Sequence, residues 1–237
     1  MNDRENPAPK TRLKTADALP PGIIVMRPYR SATSFLSHVL SGRGVDFGPA
    51  HELYEADEWN PYGYFQRPDV LKANDDFLIS AGHGVFDPTD LYTLRDRGNT
   101  EHLRDADLDW RYNTDIWGIK DPRFCVTLMS WFEAGLLGEN VGLIRIKREL
   151  MDSAHSLLKH PELAAQLDEI SLDAALKVIR SYDRLADEQE RCFPGPVLSL
   201  NFAEVTHNPI TCLDAIDGFI DAVMSSASSH DVEQAMY

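Results

Sequence analysis

The turn at residues 30–34, Arg-Ser-Ala-Thr-Ser, places a guanidinium and several hydroxyl groups between a predicted strand and a predicted helix. The continuous apolar run Gly22–Met26 before it indicates a strand buried on both faces, and apolar residues recur at helical spacing after it. A helix that begins directly after a buried strand points its free N–H groups at whatever lies above the end of that strand. Short side chains let the backbone come close to an anion there, and Arg30, Thr33 and Ser34 would add charge and donors. The turn therefore predicts an anion-binding loop.

The same turn also has a simpler explanation, because serine and threonine commonly cap helices without binding a ligand. It lacks the Gly-Lys-Ser/Thr sequence with which a P-loop binds a nucleoside triphosphate, and it contains no glycine. That sequence supplies a hydroxyl to a metal ion, which helps to neutralise the heavy charge of a phosphoryl group during transfer. A sulfuryl group carries less negative charge and can be transferred without a metal. If the loop binds a reacting anion, the sequence favours sulfuryl transfer over phosphoryl transfer.

Two later segments also place cations where a predicted strand ends. Lys-Asp-Pro-Arg at 120–123 follows the apolar run 116–119, at the edge of a parallel sheet where α/β folds bind ligands. Arg148 follows the predicted strand 141–146, and Ser156 lies eight positions further on, about two turns into the next predicted helix. Both side chains can therefore face one anion above the sheet edge. The simpler alternatives are a helix cap with incidental charges and a spacing that occurs by chance.

Strands that alternate with helices must position these segments, and this order predicts a parallel sheet with helices on both faces, a three-layer α/β fold of the P-loop type. Strands are predicted at 22–26, 116–119, 141–146 and 197–200. Helices are predicted at 35–40, 67–81, 123–134, 150–159, 162–170, 172–191 and 210–223. We expect a flexible leader at 1–20, a single domain at 21–225 and a frayed tail at 226–237. Residues 49–114 are less regular, and we expect this insertion to cover a site and to shape a substrate pocket.

The net charge of −15 argues against a nucleic-acid binder, since phosphate backbones require a basic face, and it disfavours a strongly anionic polysaccharide as substrate. The three cysteines, Cys125, Cys192 and Cys212, show no CxxC spacing, so neither a disulfide framework nor a zinc site is predicted. The first residues contain no apolar signal-peptide core, and no apolar run approaches the ~18 residues of a membrane helix. These features predict a cytoplasmic protein with no membrane span.

Five ordered segments between residues 22 and 219 resemble the sulfotransferases that use 3′-phosphoadenosine 5′-phosphosulfate (PAPS), in particular a bacterial branch whose loop reads Pro-Arg-Ser-Gly-Thr-Ser. The turn at 30–34 resembles that loop, and 120–123 matches the branch's Lys-Asp-Pro-Arg. Asn-Pro-Tyr-Gly-Tyr-Phe-Gln at 60–66 is similar to its Asn-Pro-x-Gly-Tyr-Trp/Phe-Glu. In the fourth segment, Arg148 and Ser156 have the eight-residue spacing that is characteristic of the family. The fifth segment, 198–209, resembles the branch's late Tyr-Glu-Asp-Leu…Pro segment.

The resemblance implies a sulfotransferase that moves a sulfuryl group from PAPS to a hydroxyl or amine of an acceptor, in line and without a metal. It implies that the 5′-phosphosulfate is bound by Arg30, Ser31, Ala32, Thr33 and Ser34. Arg148 and Ser156 would bind the 3′-phosphate, while Arg30 and Lys120 would stabilise the charge that develops on the oxygens around sulfur. The aromatic residues of the insertion favour a partly apolar acceptor; they are Tyr54, Trp59, Tyr62, Tyr64, Phe65, Phe86, Tyr92 and Trp110.

Three residues depart from the pattern of that branch: Ala32 replaces the loop glycine, Tyr29 the proline and Gln66 the glutamate. Glutamine cannot act as a base, so either the general base lies elsewhere, or the acceptor needs little help, or activity has been lost. The candidates are His51, Glu52, Glu55, Asp69 and His83. Two other functions stay open at this point: a catalytically inactive protein that binds PAPS or 3′,5′-adenosine bisphosphate, and a P-loop small-molecule kinase.

Overall fold

Four parallel strands form one sheet in the computed structural model, which describes residues 19–87 and 90–234. They are β1 (Gly22–Met26), β2 (Trp117–Lys120), β3 (Val141–Lys147) and β4 (Val197–Asn201). Their order across the sheet is β2-β1-β3-β4, so the first strand lies between the second and the third. The carboxyl ends of these three neighbours therefore meet at one edge. Each strand agrees with the predicted one to within one residue at either end.

Nine α-helices lie within the described residues, and the longer ones cover both faces of the sheet. They are α1 (Thr33–Ser41), α2 (Pro68–Ser80), α3 (Leu91–Arg97), α4 (Phe124–Glu133), α5 (Leu150–Leu158), α6 (Pro161–Ala164), α7 (Leu172–Cys192), α8 (Phe202–His207) and α9 (Pro209–Gln234). Successive residues of a strand face opposite sides of the sheet. Ile24 and Met26 accordingly pack with α2, α4, α5 and α7, whereas Ile23 and Val25 pack with α1 and α9. This confirms the predicted three-layer α/β architecture.

The helix predicted at 162–170 is wrong beyond its first turn, because α6 ends at Ala164. Beyond that turn, the N–H groups of Gln166 and Leu167 donate to carbonyl oxygens three residues back, at 3.1 Å and 3.2 Å, so the chain forms tight turns instead of α-helix. Ser171 has an extended backbone, and its hydroxyl accepts a hydrogen bond from the Ala174 N–H at 3.2 Å, so it is the N-cap of α7. A residue in this conformation cannot continue a preceding helix.

The last helix continues to Gln234 instead of ending at 223, and so extends into the segment predicted to be a frayed tail. Within the irregular insertion the structure adds α3 and two 3₁₀ helices, Thr100–Asp105 and Asp109–Asn113. No helix among the described residues is long and apolar enough to span a membrane.

The domain includes two residues that were predicted to belong to the leader. The carbonyl oxygen of Leu19 accepts from Asn140 Nδ2 at 2.6 Å, and that of Pro20 accepts from Trp117 Nε1 at 2.8 Å. Leu19 is also buried, so the ordered chain reaches back at least to this residue rather than beginning at 21. The rest of the predicted leader, residues 1–18, lies outside the described residues, as do 235–237.

Candidate anion-binding site

The loop between β1 and α1 has an unusual backbone. Arg30 and Ala32 both have left-handed conformations, with φ of 61° and 64°, and Ala32 is the N-cap of α1 without a side-chain cap. Thr33, which follows, is the first residue of the helix. Alternation of left- and right-handed residues directs successive main-chain N–H groups toward a common point, an arrangement that binds anions. The backbone of the predicted anion-binding loop is therefore suited to that role.

Replacing Ala32 by glycine should increase the free energy of unfolding by ~0.5–1 kcal/mol, because the Cβ of alanine is strained in the left-handed region. Urea titration of the variant measures this change. Ala215 lies in the interior of α9 and is exposed, so the same substitution there serves as the control and should lower the free energy of unfolding by ~1 kcal/mol. Destabilisation by both variants would contradict the proposed strain.

The side chain of Ser31 is turned away from the loop surface. It is fully buried, and its hydroxyl oxygen lies 3.4 Å from both the Ser153 hydroxyl of α5 and the Tyr29 carbonyl oxygen. The expectation that short loop residues bind an anion can therefore apply to Ser31 only through its main chain. Its hydroxyl anchors the loop to α5.

Ser34, in the first turn of α1, is held by two donors from different parts of the chain. The Lys120 ammonium, at the end of β2, donates to Ser34 Oγ at 2.7 Å and to the Tyr64 carbonyl oxygen at 2.6 Å. Asn60 Nδ2 donates to the same Ser34 oxygen at 2.7 Å. Three of the segments singled out in the sequence, 30–34, 60–66 and 120–123, thus meet at one hydroxyl group.

Burial determines the electrostatics of this contact. Lys120 is 4% exposed, and loss of hydration lowers the pKa of its ammonium to about 7. The carboxylate of Asp121 opposes the shift, while the positive charge of Arg30 adds to it. An ammonium held so close to neutrality gains charge readily when an anion arrives, because the anion favours the protonated form. Binding of an anion beside Lys120 should therefore raise the pKa of this ammonium.

Arg30, Arg148 and Ser156 form a second cluster beside the first. Arg30 Nε donates to Ser156 Oγ at 3.1 Å, and Arg148 Nη1 donates to the Arg30 carbonyl oxygen at 3.0 Å. Burial, followed by smaller effects that include the charge of Arg148, lowers the pKa of the Arg30 guanidinium. The Arg148 guanidinium also lies over the Phe202 ring, 5.2 Å from its centroid. The two groups of residues predicted to bind opposite ends of one ligand are thus neighbours.

Arg27 was not singled out by sequence analysis, yet it connects two of the segments that were. It is 1% exposed and donates to the carbonyl oxygens of Ile146 and of Arg148, the latter at 2.9 Å. Asp183 of α7 lies 3.6 Å from its guanidinium and partly compensates the burial that lowers its pKa to about 10. Arg27 therefore fixes the backbone of Arg148 relative to β1. A charged residue directly after a buried strand was the signal that could have identified it.

The remaining polar residues of the 120–123 segment are engaged with each other. Asp121 is 1% exposed and accepts a hydrogen bond from the Arg123 N–H at 2.7 Å. The Arg123 guanidinium pairs with Asp75 of α2, with Nη2 and Oδ2 3.2 Å apart. Gln66 Nε2 is 3.5 Å from Asp121 Oδ2, too long for a strong hydrogen bond. Lys120 is thus the cation of this segment that reaches the loop.

The candidate bases predicted from the sequence are His51, Glu52, Glu55, Asp69 and His83. Within the described residues, none of them forms a hydrogen bond or ion pair with Lys120 or with residues 30–34. Glu52 and Asp69 both pair with Arg67, at 2.8 Å and 3.0 Å. Those two carboxylates therefore have a structural role in the insertion.

An apolar cavity of about 380 Å³ lies beside the site, on the α1 side of the sheet. Side chains of α1, of α8 and α9, and of the ends of β3 and β4 line it, among them Phe35, Val39, Ile146, Leu200, Val205 and Ile216. Phe35 follows Ser34 directly and is 40% exposed. A flat apolar group attached to an anion in the loop could enter this cavity.

Among the described residues, no three His, Cys, Asp or Glu side chains are grouped as metal ligands would be. No family model matches the sequence, and no curated protein matches it. The chain is similar to a solved structure, a sulfotransferase domain from the curacin biosynthetic pathway, at 11% identity. The likeness covers 86% of this chain and 75% of that one, with a TM-score of 0.46.

Proposed function

We propose that this protein is a sulfotransferase that transfers a sulfuryl group from PAPS to a hydroxyl or amine of an acceptor. The observation that carries the proposal is the contact of Lys120 with Ser34 at the start of α1, next to the cluster of Arg30 and Arg148. Three cations from three strand ends are thereby concentrated at a helix N-terminus. This supports a ligand with two anionic groups close together.

The proposed binding mode uses both clusters and the cavity. The 5′-phosphosulfate would bind to the main-chain N–H groups of the loop, to Ser34 and to Lys120. The 3′-phosphate would bind to Arg148 and Ser156, and the hydrogen bond between Arg30 and Ser156 would give way to contacts with the ligand. The adenine ring would enter the apolar cavity beside Phe35. Each part of PAPS thus has a chemically matched surface.

In the proposed reaction the acceptor oxygen or nitrogen attacks sulfur from the side opposite the 5′-phosphate. The new bond to sulfur forms while the bond from sulfur to the bridging oxygen breaks, and its electron pair stays on the phosphate of the released 3′,5′-adenosine bisphosphate. The proton of the attacking hydroxyl or amine is released to solvent water. Lys120 and Arg30 stabilise the negative charge that develops on the bridging and peripheral oxygens. Because these cations already supply positive charge at the reacting group, we propose that the transfer needs no metal ion.

The acceptor would approach over the exposed part of the insertion. Trp59 and Tyr62 flank the Asn60 that contacts Ser34, and they are 39% and 56% exposed. Phe86 and Trp110, in contrast, pack against the main core. Two aromatic residues beside Asn60 are therefore accessible to an acceptor, which supports a partly apolar acceptor.

A catalytically inactive binder of the same nucleotide is the second candidate. It is favoured by Gln66, whose amide lies beside Asp121 where the resembling branch has a carboxylate, and by the Arg67 ion pairs of Glu52 and Asp69. Tight binding of 3′,5′-adenosine bisphosphate with no turnover of PAPS across a broad panel of alcohols and amines would establish this second function.

The test of nucleotide binding is thermal. With EDTA present, 3′,5′-adenosine bisphosphate at a hundredfold excess over Kd should stabilise the protein by ~2.7 kcal/mol, a rise in Tm of roughly 5–10 °C. ATP with magnesium should raise the Tm much less, since the loop lacks the Gly-Lys-Ser/Thr sequence. An equal or larger rise with magnesium and ATP would favour the kinase, and no rise with either would contradict the proposal.

A further inference from the structure

The Ser34 hydroxyl receives two hydrogen bonds at once. Lys120 Nζ and Asn60 Nδ2 each lie 2.7 Å from its oxygen, and Asn60 is separated from Ser34 by 26 positions in the chain. Asn60 is 7% exposed, so its amide cannot turn out into water without losing its surroundings. The hydrogen bond between Asn60 and Ser34 is therefore made by a buried side chain and not by a freely rotating one at the surface.

The surrounding loop fixes which end of the Asn60 amide faces Ser34. The same Nδ2 atom lies 2.8 Å from the Gly63 carbonyl oxygen, which can only accept a hydrogen bond. Asp57 in turn orders this loop, because its carboxylate accepts from the Asn60 N–H at 2.8 Å and from the Tyr64 hydroxyl at 2.8 Å. Asn60 therefore presents its NH₂ group, and not its oxygen, to Ser34.

A serine hydroxyl has two lone pairs and one hydrogen. When Asn60 and protonated Lys120 occupy both lone pairs, the hydrogen is the remaining group and can only be donated outward. Ser34 is in the first turn of α1, where the helix N–H groups and the cations would also face a bound anion. The hydroxyl would then be a donor before the ligand arrives, with no reorientation needed on binding.

We propose that Asn60 is a positioning residue that, together with Lys120, commits the Ser34 hydroxyl to donate a hydrogen bond to the anion bound at the start of α1. The inference rests on the proposed function in identifying that anion as the 5′ group of the nucleotide. It assigns a role to the Asn of the 60–66 segment that does not require it to touch the ligand. Its effect on binding should therefore depend on the presence of the Ser34 hydroxyl.

The test is a double-mutant cycle of Asn60→Ala and Ser34→Ala, with Kd measured by calorimetry for 3′,5′-adenosine bisphosphate and for inorganic sulfate. Each single variant should weaken binding by ~3–10-fold, the effect of one hydrogen bond. In the Ser34→Ala background, Asn60→Ala should have no further effect, because the group through which it acts is gone. If the losses of affinity in the two single variants multiplied in the double variant, the inference would be overturned.

A second variant separates orientation from simple loss of packing. Asn60→Asp has the same shape, but its carboxylate would accept the Ser34 hydrogen and repel the anion, so binding should weaken by ~10–100-fold, more than in Asn60→Ala. Asn140→Asp is the matched control: Asn140 donates to the Leu19 carbonyl oxygen near the amino ends of the strands, and Kd should stay unchanged there. If Asn60→Asp bound as well as Asn60→Ala, the hydroxyl would not be oriented as proposed.

The two ligands keep this inference distinct from the proposed function. If the wild type binds sulfate but not 3′,5′-adenosine bisphosphate, the nucleotide is wrong while the cycle with sulfate still tests Asn60. If the wild type binds both ligands and the effects of the two substitutions on the binding free energy are additive, the proposed function stands and the inference fails. If it binds neither ligand, both fail.

Discussion

Replacing Lys120 by methionine should slow sulfuryl transfer from PAPS by ~10²–10³-fold while weakening the binding of 3′,5′-adenosine bisphosphate by less than ~10-fold. The ammonium lies 2.7 Å from Ser34 Oγ, next to the proposed position of the sulfuryl group. A cation aimed at charge that develops during bond breaking acts mainly in the transition state. Single-turnover rates, with an acceptor found by screening, measure the effect. An unchanged rate would remove Lys120 from the mechanism.

The folded stability of this variant provides the control. The pKa of Lys120 is lowered by burial to about 7, below its ordinary value near 10.5, so the unfolded state binds more protons between these two pH values. The contribution of Lys120 to the free energy of unfolding is therefore least favourable below pH 7 and improves as the pH rises toward 10.5. Lys120→Met removes the cost of burying the charge and should raise the Tm at pH 6. A lost rate in a more stable protein cannot be attributed to unfolding.

The same pKa predicts how binding depends on pH. Above pH 7 the free protein increasingly contains neutral Lys120, and binding an anion must then be coupled to uptake of a proton. The affinity of the wild type for 3′,5′-adenosine bisphosphate should therefore fall between pH 7 and pH 9. In Lys120→Met this dependence should be absent. A decrease of equal size in both proteins would show that another group titrates.

The sequence predicted the strands well because a strand buried on both faces is a local pattern of apolar residues, and Gly22–Met26 is such a run. The order of the elements then places the ends of β1, β2 and β3 at one edge, which is why 30–34, 120–123 and Arg148 could be grouped before any contact was known. The helix predicted at 162–170 was wrong beyond its first turn because the Gln166 and Leu167 N–H groups bond three residues back instead of four, which the apolar pattern does not reveal.

The directions of the side chains at the site could not be predicted from the sequence, because they depend on contacts between distant segments. Ser31 and Ser34 lie in the same turn, yet one hydroxyl is buried against α5 and the other faces Lys120 and Asn60. The left-handed backbone of Ala32 explains why a glycine is expected at that position, but an alanine there gives no local signal. The role of Arg27 was not predicted because two of its partners are main-chain carbonyl oxygens, which every sequence has, and its side-chain partner, Asp183, lies on the distant α7.

The neighbouring positions of Arg30 and Arg148 raise the question of whether they bind separate parts of the nucleotide. Arg148 reaches the Arg30 carbonyl oxygen, and Arg30 reaches Ser156, so one shared anion would also fit these contacts. In the proposed binding mode, Arg148 contacts the 3′-phosphate while Arg30 contacts the 5′ group. Ligands that differ only in the 3′-phosphate distinguish the two arrangements.

Arg148→Ala should weaken the binding of 3′,5′-adenosine bisphosphate by ~10–100-fold, the loss of a charge-assisted hydrogen bond, and should leave adenosine 5′-phosphosulfate, which has no 3′-phosphate, nearly unaffected. Arg30→Ala should weaken both ligands. Lys147→Ala is the control for loss of a nearby positive charge, since Lys147 is half exposed and lies 3.9 Å from Glu190 rather than at the loop. Calorimetry measures the Kd of each of the three variants for both ligands, for comparison with the wild type. An equal loss of both ligands in Arg148→Ala would mean that Arg148 and Arg30 share one anion, because only a contact with the 3′-phosphate can discriminate between these ligands.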